Sequence, residues 1–204
     1  GYKAVVAQTG TAGEMYYVQD YNQKQAPIKA DRVVVACHAD EGLKAFITGL
    51  PIVAAQPMAM IGYNNGISVI HTDSRVMPVN QNAWSTYNIL IHEPGSAALK
   101  PYVINYVANR HQNDARNPAF NTFGLPNFFV SINPQTAIPE NLTLKDHNGT
   151  PAVTNLRHNN FDFDTMYAQS RIDTMQGVND SYYAGGWTHG SGLHEGGWAQ
   201  GEDV

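Results

Sequence analysis

Residues 182–197 read Tyr182-Tyr183-Ala184-Gly185-Gly186-Trp187-Thr188-His189-Gly190-Ser191-Gly192-Leu193-His194-Glu195-Gly196-Gly197, with six glycines and two histidines. An apolar run enters this stretch and a helix start leaves it. A glycine-rich turn feeding a helix presents unpaired backbone N–H groups at the positive end of the helix dipole, with no side chains in the way. That arrangement suits a negatively charged or electron-rich ligand. The competing account is a tight turn that binds nothing.

Other residues here could also do chemistry. His189, His194 and Glu195 are a conceivable metal set, but the two histidines straddle glycines instead of sharing a helical face, and no third ligand has the right spacing. Either imidazole could act as a general base or as a hydrogen-bonded structural group, and structure is the better account of His194. His71-Thr72-Asp73-Ser74-Arg75 ends an apolar strand in polar residues. It could place a base near a substrate, but the favoured account is a buried polar corner, with Asp73 capping backbone N–H groups and Arg75 paired to a carboxylate. Trp84, Tyr87 and Tyr63 line a cavity or, more commonly for aromatic strand residues, fill a core. Cys37 falls in a strand reading as inert packing. Arg157-His158 and Phe161-Asp162-Phe163 read as structural. No catalytic residue is assigned.

The elements that must position these groups change character along the chain. Tyr2 to Gln8 and Met15 to Tyr21 read as a hairpin around the Thr9–Gly13 turn. Asp31-Arg32-Val33-Val34-Val35-Ala36-Cys37 is a β-branched run without alternation, as in a strand buried on both faces of a parallel sheet. Ala39 to Ile47 reads as a short helix ending near Gly49 and Pro51. Strands follow at Ala59 to Tyr63, Ile67 to His71 and Trp84 to Leu90, with Asn64-Asn65-Gly66 as a hairpin turn. Tyr102 to Val107 and Phe128 to Ile132 are further strands. The Pro134–Pro151 segment reads as loop, Asp164 to Met175 as helix, and Tyr182 to Ala184 as a short strand. Sheet of parallel character at both ends flanks an antiparallel middle, so the fold class is α/β to α+β. A substrate domain inserted into a nucleotide-binding domain has this layout. The Gly-x-Gly-x-x-Gly turn of such a domain is not in this sequence, and Gly10 to Gly13 lacks its spacing and its helix.

Composition narrows the function classes. The chain has 204 residues, 43% hydrophobic and 14% charged, with a formal net charge of -5. It is long enough for a real core as one domain or two lobes. The charge balance gives no footprint for nucleic acid or an anionic membrane. A lone cysteine excludes an internal disulfide framework and a cysteine-based zinc site. No apolar run approaches the ~20 residues that span a bilayer, and no signal peptide opens the sequence. A reducing, cytoplasmic setting is the expectation. The sequons at Asn141, Asn148 and Asn179 then carry no glycan.

Four motifs, in order and at matching spacing, carry a family resemblance over most of the chain. They are Asp31-Arg32-Val33-Val34-Val35-Ala36-Cys37-His38-Ala39-Asp40; His71-Thr72-Asp73-Ser74-Arg75-Val76-Met77-Pro78 with Ala83-Trp84-Ser85; Phe129-Val130-Ser131-Ile132-Asn133-Pro134; and Ala184-Gly185-Gly186-Trp187 through Leu193-His194-Glu195-Gly196. The sequence resembles the C-terminal half of a flavin-containing amine oxidase-type oxidoreductase, in the desaturase-like branch.

The resemblance implies part of a Rossmann-like FAD-binding domain with an inserted substrate domain of mixed or antiparallel sheet. Residues 1–50 would belong to the FAD-binding domain, 51–178 to the substrate domain and 179–204 to a closing FAD-binding segment. An N-terminal FAD-binding segment or separate chain would supply the dinucleotide fingerprint, and a small molecule would be the substrate. The cofactor-binding residues implied are Gly185, Gly186, Trp187, Gly192, Leu193, His194 and Glu195. Members that oxidise simple amines carry an aromatic residue where this chain has Leu193, which argues against that chemistry and leaves desaturation or oxidation of another C–H bond. Lys44, Lys100 and Lys145 offer no counterpart of a catalytic lysine. The alternative is a non-catalytic binding or assembly subunit that keeps the fold without the cofactor.

Overall fold

The computed structural model describes residues 4–7, 16–20, 26, 28–48, 50–91, 102–111 and 126–204. In chain order the elements are β1 (Ala4–Ala7), β2 (Tyr16–Asp20), β3 (Ile28–Ala30), β4 (Val33–Val35), α1 (Ala39–Ala45), β5 (Phe46–Thr48), α2 (Ile52–Met60), β6 (Tyr63–His71), β7 (Tyr87–Ile91), β8 (Tyr102–Val107), α3 (Ala108–His111), β9 (Phe129–Ile132), β10 (Val153–Asn159), α4 (Phe163–Gln169), α5 (Ile172–Met175), β11 (Ser181–Tyr183) and α6 (His194–Glu202). The chain divides into two compact units: Gly1–Asn64 with His158–Val204, and Asn65–Arg157. Parallel pairs and an antiparallel sheet coexist, which is compatible with an α+β fold.

In the first unit, β1 and β2 pair antiparallel, as the expected hairpin requires. Its turn lies outside the described residues. The sheet order is β3-β2-β1-β5, with β5 parallel to β1. β4 pairs with β11 in parallel, Val33 opposite Ser181 and Val35 opposite Tyr183. Val33 and Val35 are buried but Val34 is 53% exposed, so only one face of this strand is covered. The β-branched run reflects strand propensity here, not burial on both sides. Val33, Val35, Met58, Ile172, Met175 and Trp187 belong to one buried cluster.

Three local readings change. Of the strand expected at Ala59 to Tyr63, Ala59 and Met60 end helix α2, which carries Pro57 inside it, and only Tyr63 belongs to a strand, β6. Proline there removes one intrahelical donor, which works against a helix. Yet Ala54, Pro57 and Met58 fall on one face and are all buried, and that burial outweighs the lost bond. Asn64-Asn65-Gly66 is not a turn, because β6 runs straight through it. A Cβ at Gly66 would stand 3.1 Å from Asn133 Oδ1, and that same oxygen accepts from the Ile67 N–H at 3.1 Å. The glycine therefore serves close approach within a strand. The expected long helix is two, α4 and α5, broken at Ser170 and Arg171. Asp162 caps the first by accepting from the Thr165 N–H at 2.9 Å.

The second unit is built on an antiparallel sheet of order β10-β6-β9-β8-β7. β8 and β9 match expectation closely. β7 starts at Tyr87, because Trp84 is drawn into a small core with Met77, Val107 and Phe129 and donates its indole N–H to the Pro78 carbonyl at 2.7 Å. β10 was not expected: its sequence, Val153-Thr-Asn-Leu-Arg-His-Asn, alternates poorly, and all of it but Asn159 is exposed.

The compact units are bounded differently from the expected domains at 51 and 178. α2, α4 and α5 contribute Met58, Ile172 and Met175 to the first unit's core. Met58→Ala should therefore cost about 2–5 kcal/mol of stability, while Ile52→Ala, on the exposed face of the same helix, should stay within about 0.5 kcal/mol. Denaturant titration of the two variants checks this contrast.

Candidate functional site

The glycine-rich turn hangs from the carboxyl ends of the two parallel strands. Past β11, the Ala184 N–H donates to the Val35 carbonyl at 3.0 Å and extends the pairing by one residue. Trp187 then folds inward, 2% exposed, and its indole N–H donates to the Cys37 carbonyl just beyond β4 at 3.0 Å. Thr188 closes the turn, its N–H and hydroxyl both donating to the Gly185 carbonyl, at 3.0 and 2.7 Å. Two glutamine side chains brace it from outside. Gln176 pairs with the backbone of Tyr183, accepting from its N–H at 2.8 Å and donating to its carbonyl at 2.7 Å. Gln169 donates to the carbonyls of Gly190 and Trp187 at 2.7 and 3.2 Å. Sequence reading missed both glutamines, because a polar residue at a helix end gives no signal of what it will hold.

The seven implied cofactor residues separate into two groups. Trp187 is core, not a lining face. Gly192 has φ +79°, and a Cβ there would stand 2.6 Å from Asn159 Oδ1 and 3.1 Å from the Gly186 carbonyl oxygen. A Cβ on Gly186 would in turn meet Gly192 backbone at 3.2 Å. These two glycines let the chain pack on itself, so their smallness serves the turn. Gly185, Leu193, His194 and Glu195 are different: Gly185 is half-buried and the other three are exposed around the start of α6.

α6 starts without a side-chain cap, Leu193 standing at the N-cap position. The first N–H groups of any helix lack intrahelical acceptors, so here they face outward uncapped, with partial positive charge. Glu195 in the first turn offsets part of that field. Beyond the end of β4 lies His38, its ring 4.7 Å from that of Tyr63. Its Nδ1 is buried and has no hydrogen-bond partner among the described residues. In parallel α/β arrangements, ligands bind outside the carboxyl ends of strands. The uncapped helix start there is a set of backbone donors that fits an electron-rich cofactor edge. Among the described residues, no three of His, Cys, Asp and Glu are grouped to hold a metal ion.

Cys37 is exposed and lies past the end of β4, so it is not strand packing. Loss of solvation around the thiol, and next the Glu41 carboxylate, push its pKa up, so it stays a thiol at neutral pH.

In the second unit, the His71 segment forms the buried polar corner. Asp73 accepts from the Arg75 N–H at 3.1 Å and from its guanidinium Nε and Nη2 at 2.9 and 2.7 Å. The Arg75 side chain thereby holds the Asp73 carboxyl below the usual range. His71 is fully buried. Its Nδ1 accepts from the Asp73 N–H at 3.0 Å, so in the neutral ring Nε2 carries the proton and donates to Ser131 Oγ at 2.8 Å. Ser131 then donates to Asn105 Oδ1 at 2.5 Å, and Asn105 Nδ2 donates to the Val76 carbonyl at 3.1 Å. A serine beside a histidine invites a nucleophile reading, but this ring is wired as donor to the hydroxyl and cannot take its proton. The chain of bonds fixes structure.

Burial lowers the His71 pKa, with Asp73 pulling weakly the other way. The unfolded chain, at the ordinary value of 6.5, therefore binds more protons than the folded one as pH drops through that value. The His71 contribution is complete above it and declines towards the lowered folded value. Denaturation midpoints should fall as pH drops below about 6.5, and His71→Gln should flatten that fall. An equal fall in the variant would assign the titration elsewhere. Separately, Gly192→Ala should lower stability by about 1–3 kcal/mol in the absence of any ligand, through positive-φ strain and the Asn159 contact, as thermal unfolding would show.

No protein-family model matches the sequence, and no curated protein sequence matches it. Among the described residues, no helix is long and apolar enough to cross a membrane. The fold does match a solved structure, the crystal structure of the CLA-producing fatty acid isomerase from P. acnes, with a TM-score of 0.53 and 10% sequence identity over 98% of this chain. The chain spans 46% of the length of that isomerase. At this identity the likeness is one of fold alone.

Proposed function

We propose that this chain is the C-terminal part of an FAD-dependent oxidoreductase that takes a hydride from a substrate C–H bond. In this reading residues 1–50 and 179–204 belong to a Rossmann-like FAD-binding domain, and residues between 51 and 178 hold the substrate. The observation that carries it is the parallel β4–β11 pair, whose carboxyl ends lead into Gly185 and the uncapped start of α6. The first and last of the four motifs fall on and beside these same elements.

When bound, FAD supplies a two-electron acceptor at N5 of its isoalloxazine, with negative charge gathering at N1 and the C2 carbonyl. The backbone N–H groups of Leu193, His194 and Glu195 would hold that edge. Donors fixed at a helix start meet developing charge without reorganising, and this is how preorganised dipoles lower a barrier. Gly185 would leave room for the ring beside the turn. Trp187 and Gly192 act one step removed, by fixing where α6 begins. The exposed Leu193 presents an aliphatic side chain, which offers no π-face to a cationic amine. The reading therefore favours desaturation, or oxidation of a C–H bond that bears no amine.

The complete native protein should show flavin absorbance near ~370 and ~450 nm. Absence of both bands would overturn the oxidoreductase reading in favour of a binding or assembly subunit of the same fold. His194→Pro is a finer test. Proline is tolerated at the first helical position but carries no N–H, so the helix should persist while FAD retention weakens by about fivefold, the worth of one hydrogen bond. Unchanged retention would remove that donor from the site.

A further inference from the structure

Within the second unit lies a cavity of about 560 Å³, in the range of small-molecule sites, that the flavin reading does not use. Its floor is the inner face of the β7–β8 edge. Register sets Leu90 opposite Val103 and Asn88 opposite Asn105, and side-chain alternation brings these four to one face. Its other wall is the segment after β6, with Met77 and Arg75.

The polar groups of the floor are already committed. Asn88 accepts from the Ser85 N–H at 2.9 Å and donates to the carbonyls of Ser85 and Asn105, at 2.7 and 3.2 Å. The Asn105 carboxamide lies between Ser131 and Val76. Arg75 is different. Its Nε and Nη2 hold Asp73, while Nη1 and the second Nη2 hydrogen make no hydrogen bond to a described residue. Five donors on a planar fork can serve two carboxylates on two edges. The inner carboxylate is fixed in turn, because the Asp73 N–H is anchored on buried His71. The outer edge of Arg75 is therefore presented in one orientation, which lowers the ordering cost of binding.

We propose that this cavity binds an apolar monocarboxylate, with its hydrocarbon body between Met77 and the Leu90–Val103 floor and its carboxylate on the outer edge of Arg75. Asp73 cancels much of the net charge, so recognition rests on the direct bidentate hydrogen bonds rather than on long-range attraction. The ligand class follows from the outer donor edge of Arg75, unengaged among the described residues, standing beside the apolar side chains of Met77, Leu90 and Val103, with the exposed Gln135 and Thr136 also on the lining.

The test uses the full chain without FAD, so its outcome is separate from that of the flavin reading. Decanoate and decan-1-ol, both below micelle-forming concentration, are titrated while backbone amide resonances are followed. Decanoate should bind saturably, shift amides at 75–78, 88–90 and 103–105, and bind about five- to tenfold more tightly than the alcohol, allowing for the exposure of Arg75. Arg75→Gln should bring decanoate down to the level of the alcohol. Arg75→Lys, which keeps a charge beside Asp73 but lacks the fork, should give an intermediate loss and covers the case of a Gln variant that fails to fold. Equal affinity of wild type for acid and alcohol, or no saturable shift at these amides, overturns the proposal.

Discussion

The hydrogen bond from the Trp187 indole to the Cys37 carbonyl joins residues 150 positions apart, and much of the first unit depends on it. The indole is the largest fully buried side chain among the described residues, so its N–H must find a partner. A buried donor left without one costs about 1–3 kcal/mol. Its partner lies just past β4, and Ala184 reaches Val35 one step earlier. Together they lock β11 beside β4 and fix where the chain leaves the sheet. The glycine-rich turn, the closing bonds of Thr188 and the first residue of α6 all follow from that exit point.

The second unit is governed by a different constraint, the burial of polar side chains in an antiparallel sheet. His71, Ser131, Asn105 and Asp73 are all buried, and the low dielectric there penalises any group left unpaired. Each donor is answered in turn, from the Asp73 N–H through the imidazole, the serine hydroxyl and the carboxamide to the Val76 carbonyl. Such a series has one consistent direction, and this direction fixes the tautomer of His71. It also denies the serine a base and holds Arg75 in place through Asp73. Arrangements resembling a catalytic pair are thus separated from real ones by asking which atom carries the proton.

How much of this was legible in the sequence differs by element. β8, β9 and the first hairpin were legible because strand periodicity and turn residues agreed. So were the parallel character of Val33–Val35, the Asp73 cap and the pairing of Arg75 with a carboxylate. α2 was hidden by Pro57, whose local cost is offset by tertiary burial of Ala54 and Met58. Asn64-Asn65-Gly66 misled because a turn-forming triplet is also what a strand uses when another side chain, here Asn133, comes close. At the candidate site, the sequence located the helix start and the glycines. It could not separate Gly192 and Gly186, which pack on each other, from Gly185 beside the open end of the strands. Nor could it foresee Gln169 and Gln176, since their partners are backbone atoms brought near only by the fold.

The central claim is that the exposed start of α6 faces a flavin. Hydrogen–deuterium exchange of the complete protein, with and without FAD, tests it at the level of the peptide groups concerned. The account predicts slowed exchange in peptides covering residues 185–197 when FAD is present. FAD binding that leaves these amides exchanging at the same rate would contradict it.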